Sequence, residues 1–391
     1  MAQQKPPFLP FERRDLTVIK KIATHARPDG DELLALWMLR NFAEKTESLY
    51  PGASTAKMVN FTMDMLPPGV DPDTFPCDML FVGCGKGELD EHHRKSPNQC
   101  AATRVAFKLG VRRERSLEWL LVDTLECDRS RAKAPNSLYD AIKLVSTCFL
   151  DEPERAYDWA MVAYNAIYAH EKNSPTDNIK PIDMNLAMKF ITENLGAPAA
   201  VSWMEVYRQA TTWREGQKNK ARHIWDGTSI SELYLPDGRA VKLAVVRSDN
   251  DQVNFIGWSE RQIGVLIQVN SSGNVQIYTL QRMKISLKPV AELIRRREME
   301  LRGDTNIPHP NVLRATDTVA EVPYWHMPNF ANQPILFNGN QLTAPGVDPT
   351  KIPVAEIVEL VVKGLKLSEE RVLSGQQFFS QGQPHYVTEK K

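Results

Sequence analysis

A chain of 391 residues is too long for a single compact core and is expected to fold as two domains. Its 48 basic and 48 acidic side chains cancel, which excludes a general polyanion-binding field and leaves any nucleic-acid contact to a local patch. A hydrophobic content of 42% with 25% charged residues is that of a soluble globular protein, and no apolar run approaches the roughly 20 residues of a membrane span.

Residues 1–10 hold three prolines and no apolar core of the kind a secretory signal carries. The 5 cysteines (Cys77, Cys84, Cys100, Cys127 and Cys148) are scattered and form no CxxC pair, so the sequence suggests neither a zinc ribbon nor a redox motif. Reduced thiols in a cytoplasmic protein are the expectation.

Residues 1–15 read as an irregular arm. Leu16 to Thr24 reads as the first strand, and Asp31 to about Lys45 as the first helix. Between them lies Thr24-His25-Ala26-Arg27-Pro28-Asp29-Gly30-Asp31-Glu32, which sets one imidazole and two carboxylates in a short turn. Nitrogen and oxygen donors this close suit a cation such as Mn²⁺ or Mg²⁺, although Pro-Asp-Gly is also a common surface turn.

Val59 to Met63 reads as a second strand, followed by a connector rich in proline (Pro67, Pro68, Pro72, Pro76) that cannot be helix interior. Met79 to Val82 is a buried-strand pattern ending in glycines. The loop Gly83-Cys84-Gly85-Lys86-Gly87 misses both nucleotide fingerprints: Glu88 stands where a third Rossmann glycine belongs, and Gly87 where a P-loop has Ser or Thr. Glu91-His92-His93-Arg94 follows. Ala101 to Leu109 reads as a helix stopped by Gly110, and Trp119 to Val122 as a further buried strand that ends at Asp123. Glu126 and Asp128 add carboxylates just beyond it.

This alternation implies an α/β fold: an open, mostly parallel sheet, with His25, the 83–93 loop and Asp123 brought to the edge where such sheets bind ligands. From Pro135 to Lys220 the pattern is helical (138–149, 152–170, 182–194 and 200–220), with a break at Gly196 and Pro198. The expected division is 1–195, the metal-binding α/β domain with its helical connector, and 196–391, a smaller α+β substrate-binding or lid domain.

In the second half, Leu233–Leu235 and Val241–Val246 flank Pro236-Asp237-Gly238, a hairpin signal. Ile263–Val269 and Val275–Leu280 form a second hairpin. Pro289 to Leu301 reads as a helix whose Arg295-Arg296-Arg297 run is expected to be a solvated face. Pro323 to Asn340 reads as irregular. A helix from Val354 is expected to end at Gly364, and the last 15 residues to fray.

Taken together, His-x-x-x-Asp-x-Asp at 25–31, Glu91-His92-His93 and the later Asp123 resemble the DHH phosphoesterase superfamily, which includes RecJ-type exonucleases, oligonucleotide and cyclic-dinucleotide phosphodiesterases and family-II inorganic pyrophosphatases. Three stretches are similar to its branch of eukaryotic organellar and nuclear RNA exonucleases and their bacterial relatives. They are 24–32, Cys77-Asp78 through Cys84-Gly85, and His92-His93-Arg94 with Cys100-Ala101-Ala102 and Gly110. The resemblance covers about residues 16–130.

It implies a phosphodiester hydrolase that uses metal-activated water, with His25, Asp29, Asp31, His92 and Asp123 as ligands of Mn²⁺ or Mg²⁺. His93 would act on the phosphate or leaving oxygen, and Arg94, Arg27 and His326 would contact substrate. The implied partner is a nucleotide or short nucleic acid, with no membrane and with a homo-oligomer left open. The sequence departs from the superfamily at two places. The Asp that bridges two metals falls on Val82 or Gly83, and the Asp that precedes the His pair is Glu91. A DHH-like protein that serves as a binding or assembly subunit is therefore a second reading.

Overall fold

The computed structural model describes residues 17–62, 65–66, 70–75, 77–91, 98–129, 136–176, 180–319, 321–328, 335–339 and 347–380. The fold is mixed α/β, and the chain divides chiefly between Trp213 and Arg214 into two compact units.

The first unit begins with β1 (Lys21–Thr24), then α1 (Gly30–Asn41), α2 (Ala43–Leu49), β2 (Lys57–Asn60) and β3 (Met79–Phe81). The three strands form a parallel sheet in the order β2-β1-β3, with Ile22 opposite Met58 on one side and Leu80 on the other. Ile22, Ala23 and Thr24 are buried, as a central parallel strand requires. Parallel pairing needs a crossover, and α1 supplies the one from β1 to β2. The sequence reading placed one helix to Lys45; Phe42 breaks it into two.

Helices then take over: α3 (Ala101–Lys108), α4 (Arg115–Arg129), α5 (Leu138–Cys148), α6 (Pro153–Asn173), α7 (Met184–Leu195) and α8 (Ala197–Asp226). Gly110, at φ 66°, follows α3, in keeping with the expected stop. Gly196 alone makes the break before α8, because Pro198 sits in that helix's first turn, where a missing N–H costs nothing. α1 is buried from Gly30 to Leu39 and lies at the centre of the unit's core, joined by Leu117, Leu120, Ile142 and Ile167.

One expectation fails here. Residues 119–122 are not a strand; they lie inside α4. Leu117, Leu120, Leu121, Thr124 and Cys127 are buried at spacings of three and four, the period of a helix with one face in the core.

The second unit carries β4 (Ile230–Tyr234), β5 (Ala240–Arg247), α9 (Gln252–Ser259), β6 (Val265–Val269), β7 (Val275–Thr279), α10 (Lys288–Arg302), α11 (Pro310–Leu313), β8 (Asp317–Val319), β9 (Val322–Met327), β10 (Ile335–Phe337) and α12 (Val354–Ser380). Its sheet runs β4-β5-β6-β7-β10-β9-β8. Both expected hairpins form, β4–β5 and β6–β7, and α9 crosses from β5 to the parallel β6. One sheet face packs with α10 and α12 around Val265, Ile277, Ile294, Trp325 and Ile357. On the other, Ala221 and Trp225 of α8 join Val253 and Ile256 of α9.

Three corrections belong to this unit. Part of the stretch expected to be irregular, 323–340, forms β9 and β10. α12 does not end at Gly364 but runs on to Ser380. A Cβ at Gly364 would lie 2.8 Å from the Cα of Val290, so this glycine serves close packing against α10 rather than helix termination. Arg295, expected on a solvated face, is fully buried. Its Nε and Nη2 donate to Trp325 O at 3.2 and 3.0 Å, and its Nη1 to Leu313 O and Ala315 O at 2.9 and 2.7 Å. Among the described residues no helix is long and apolar enough to cross a membrane.

Candidate metal centre

The turn between β1 and α1 is held by reciprocal capping. Asp29 is the N-cap of α1, and its Oδ1 accepts from Asp31 N at 3.1 Å. Glu32 reaches back, its Oε2 accepting from Asp29 N at 3.3 Å. Its Oε1 accepts from His25 N at 3.0 Å and stands 2.7 Å from His25 Nδ1. One buried carboxylate thus ties both ends of the turn together.

Gly30 matters for a different reason. A Cβ there would lie 2.7 Å from the ring of Tyr139, so only glycine admits that ring beside the turn. The Tyr139 hydroxyl donates to Asp128 Oδ1 at 3.4 Å, and Tyr164 donates to Gly30 O at 2.8 Å. Burial raises the Tyr139 hydroxyl pKa, and the charges of Asp29, Asp128 and Asp31 raise it further.

Asp31 is the centre of this region. Its carboxylate is buried, accepting from Ala101 N at 2.8 Å and Ala102 N at 2.7 Å at the start of α3. Those donors and the positive end of α3 favour its charge. Its pKa is nevertheless well above the usual carboxylate range, first through burial and then through the charges of Glu91, Asp29 and Asp128. The Cys100 thiol lies against it and is pushed upward in turn by burial and by Asp31.

His25, Asp29 and Asp31 therefore share one turn, as the spacing implied. His92, His93 and Arg94 lie outside the described residues. Arg27 is half-buried in the same turn. His326 belongs to β9 in the second unit, with its ring 5.1 Å from that of Phe337.

Asp123 needs correction. It does not close a strand but lies within α4, where its Oδ1 accepts from Ile182 N at 2.9 Å, tying α4 to the segment before α7. Burial raises its pKa to about 6. The α4 carboxylate whose charge bears on Asp31 is instead Asp128. Asp128, Glu91, Tyr139 and Glu32 were not singled out as site residues by the sequence reading. The available signals were the helical period of α4 and the acidic residue directly before the His pair.

The position where the superfamily carries its bridging Asp falls on Val82 or Gly83. Val82 is fully buried. Gly83 has φ 66°, and a Cβ on it would meet Glu32 Cγ at 2.7 Å and Oε1 at 2.8 Å. The Glu32 carboxylate occupies the space that a side chain at 83 would need.

The chain matches no family model and no curated protein. Among solved structures it is similar to an uncharacterized protein from Helicobacter pylori G27, at 11% identity over 89% of this chain and 99% of that one. The TM-score is 0.24, and nothing about fold or chemistry is drawn from it.

As a donor set, imidazole and carboxylate oxygen suit a hard divalent cation, and a cluster of like charge around a desolvated carboxylate is one that such a cation would neutralise. Among the described residues, no group of three His, Cys, Asp or Glu side chains is by itself arranged to hold a metal ion.

Proposed function

We propose that the first unit is a divalent-metal-dependent phosphoesterase acting on a phosphodiester in a short oligonucleotide, an RNA or DNA end, or a small nucleotide. The observation that carries the reading is Asp31: a buried carboxylate whose neighbours Asp29, Glu91 and Asp128 add charge of its own sign. A structural carboxylate is ordinarily buried beside donors or cations, whereas a binding site for a cation gathers acceptors.

The residues that would hold Mn²⁺ or Mg²⁺ are His25, Asp29 and Asp31, with Asp128 in the place first given to Asp123, and with Glu91 and His92 completing the set. When bound, the cation would supply an activated water and polarise the phosphoryl oxygens. His93 would donate a proton to the leaving oxygen, and Arg27 and Arg94 would neutralise the phosphate charge bidentately. His326 would be a substrate contact. Zero net charge favours a short substrate over long nucleic acid.

The second reading, a DHH-like binding or assembly subunit, draws on Gly83, whose side-chain space is filled by Glu32. One experiment separates the two. Purified full-length protein is assayed with Mn²⁺, Mg²⁺ or Co²⁺ on bis(p-nitrophenyl) phosphate and on short RNA and DNA oligomers. Metal-dependent hydrolysis that His92→Ala and Asp31→Ala abolish supports the enzyme. An inert wild type with all three cations, together with a stably co-purifying partner, supports the subunit.

A further inference from the structure

Glu32 lies immediately beside the proposed ligands yet is fully engaged within the protein. Its side chain is 5% exposed, whereas that of His25 is 42% exposed. Oε1 faces both the backbone N–H and the Nδ1 of His25, and Oε2 takes the backbone N–H of Asp29. A carboxylate so placed is an acceptor, so the Nδ1 of His25 carries the hydrogen. The Nδ1 edge of the ring is then anchored against a buried group, and the opposite edge, with Nε2, is the one a ligand can approach.

Gly83 completes the arrangement from the end of β3. Its N–H donates to Leu89 O at 3.0 Å, and Val82 N donates to Ala23 O at 2.9 Å, so the backbone at 82–83 is pinned beside β1. With φ 66° and no Cβ, Gly83 leaves room for Oε1, where any side chain would overlap it. Residues from two strand ends and one helix thus cooperate to hold a single carboxylate against a single imidazole.

We propose that Glu32 is a positioning residue that fixes His25 in the Nδ1–H tautomer and so presents Nε2, with its lone pair, as the donor to a divalent cation. Imidazole ligands are oriented in this way when a carboxylate accepts from the nitrogen that does not bind the metal. The use made of Nε2 rests on the phosphoesterase reading above; the tautomer does not.

The test uses full-length protein labelled with ¹⁵N-histidine, with the His25 signals assigned through His25→Gln, at about pH 8, where the imidazole is neutral. Wild type is expected to show a single His25 tautomer protonated on Nδ1. Glu32→Gln, whose amide oxygen can still accept, should retain it. Glu32→Ala and Gly83→Ala, the second of which displaces Glu32 without altering its chemistry, should each give a mixture of tautomers. Both should bind Mn²⁺ about 10- to 100-fold more weakly than wild type, with an unchanged circular dichroism spectrum.

The proposal is overturned if wild-type His25 carries its proton on Nε2. It is equally overturned if folded Glu32→Ala keeps the wild-type tautomer and the wild-type Mn²⁺ affinity. Should either alanine variant fail to fold, the wild-type and Glu32→Gln spectra still decide. Wild type that holds the tautomer but binds no cation would remove the phosphoesterase reading and leave the positioning of His25 standing.

Discussion

In the second unit the guanidinium of Arg295 is fully enclosed, and the carbonyls of Leu313, Ala315 and Trp325 surround it as acceptors. Nearby, buried Glu298 accepts from Arg302 Nε at 2.7 Å, Trp325 Nε1 at 3.1 Å and Lys351 N at 3.1 Å. In the first unit Asp31 is enclosed almost as completely, but its side-chain surroundings are Asp29, Glu91 and Asp128. The first arrangement matches each buried charge with groups of complementary polarity and so ties α10 to β9 and the 313–315 segment. The second gathers charge of one sign around a desolvated group, a cost to the fold that a bound cation would offset.

The largest expected effect lies on the structural side of this comparison. Arg295→Ala deprives three buried carbonyls of their donor and should destabilise the second unit by roughly 3–5 kcal/mol in urea unfolding. It should leave Mn²⁺ binding by whatever protein remains folded unchanged; a loss of binding in that folded fraction would show that the two buried clusters are not independent.

Asp123 comes next. With its pKa raised to about 6, the unfolded chain releases this proton near pH 4 while the folded chain holds it until about pH 6. Stability from this group is therefore greatest below pH 4, falls as pH rises from 4 to 6, and is flat above. Asp123→Asn keeps an oxygen for Ile182 N and removes the charge. It should raise stability at pH 7 by at most about 3 kcal/mol and flatten the profile between pH 4 and 6, which thermal unfolding across pH would record. Destabilisation at pH 7 would instead mean that the charge itself is needed there.

Asp128→Asn is the smallest in stability and the sharpest in contrast. Removing one like charge beside Asp31 should stabilise the cation-free protein by about 1 kcal/mol and weaken Mn²⁺ binding about tenfold or more. A variant that loses stability and keeps its affinity would place Asp128 with Glu298, among the structural charges.

The elements of both units were readable where local pattern and local chemistry agree. The turn after β1 is an example: Asp29 and Glu32 spell a capping box, and the apolar residues of α1 follow at once. α4 was misread because Trp119-Leu120-Leu121-Val122 is too short an apolar run to distinguish strand from helix; the wider spacing of Leu117, Leu121, Thr124 and Cys127 carries the answer. That error placed Asp123 at a sheet edge and left Asp128 among ordinary salt-bridge partners. β9 was hidden by Pro323, a residue that argues against a strand except near its start. Arg295 looked like one of three solvated arginines because its acceptors come from distant segments. The part played by Glu32 depends on a glycine 51 positions later, and no local pattern reveals that approach.

The central claim is that the carboxylates around Asp31 gather to hold a divalent cation, and calorimetric titration of the full-length protein with Mn²⁺ at neutral pH tests it most directly. The account predicts saturable binding that Asp31→Ala removes, accompanied by a stabilisation of about 2.7 kcal/mol at a free Mn²⁺ concentration 100 times the Kd. A wild-type protein that binds neither Mn²⁺ nor Mg²⁺, and whose unfolding midpoint neither ion moves, would contradict it.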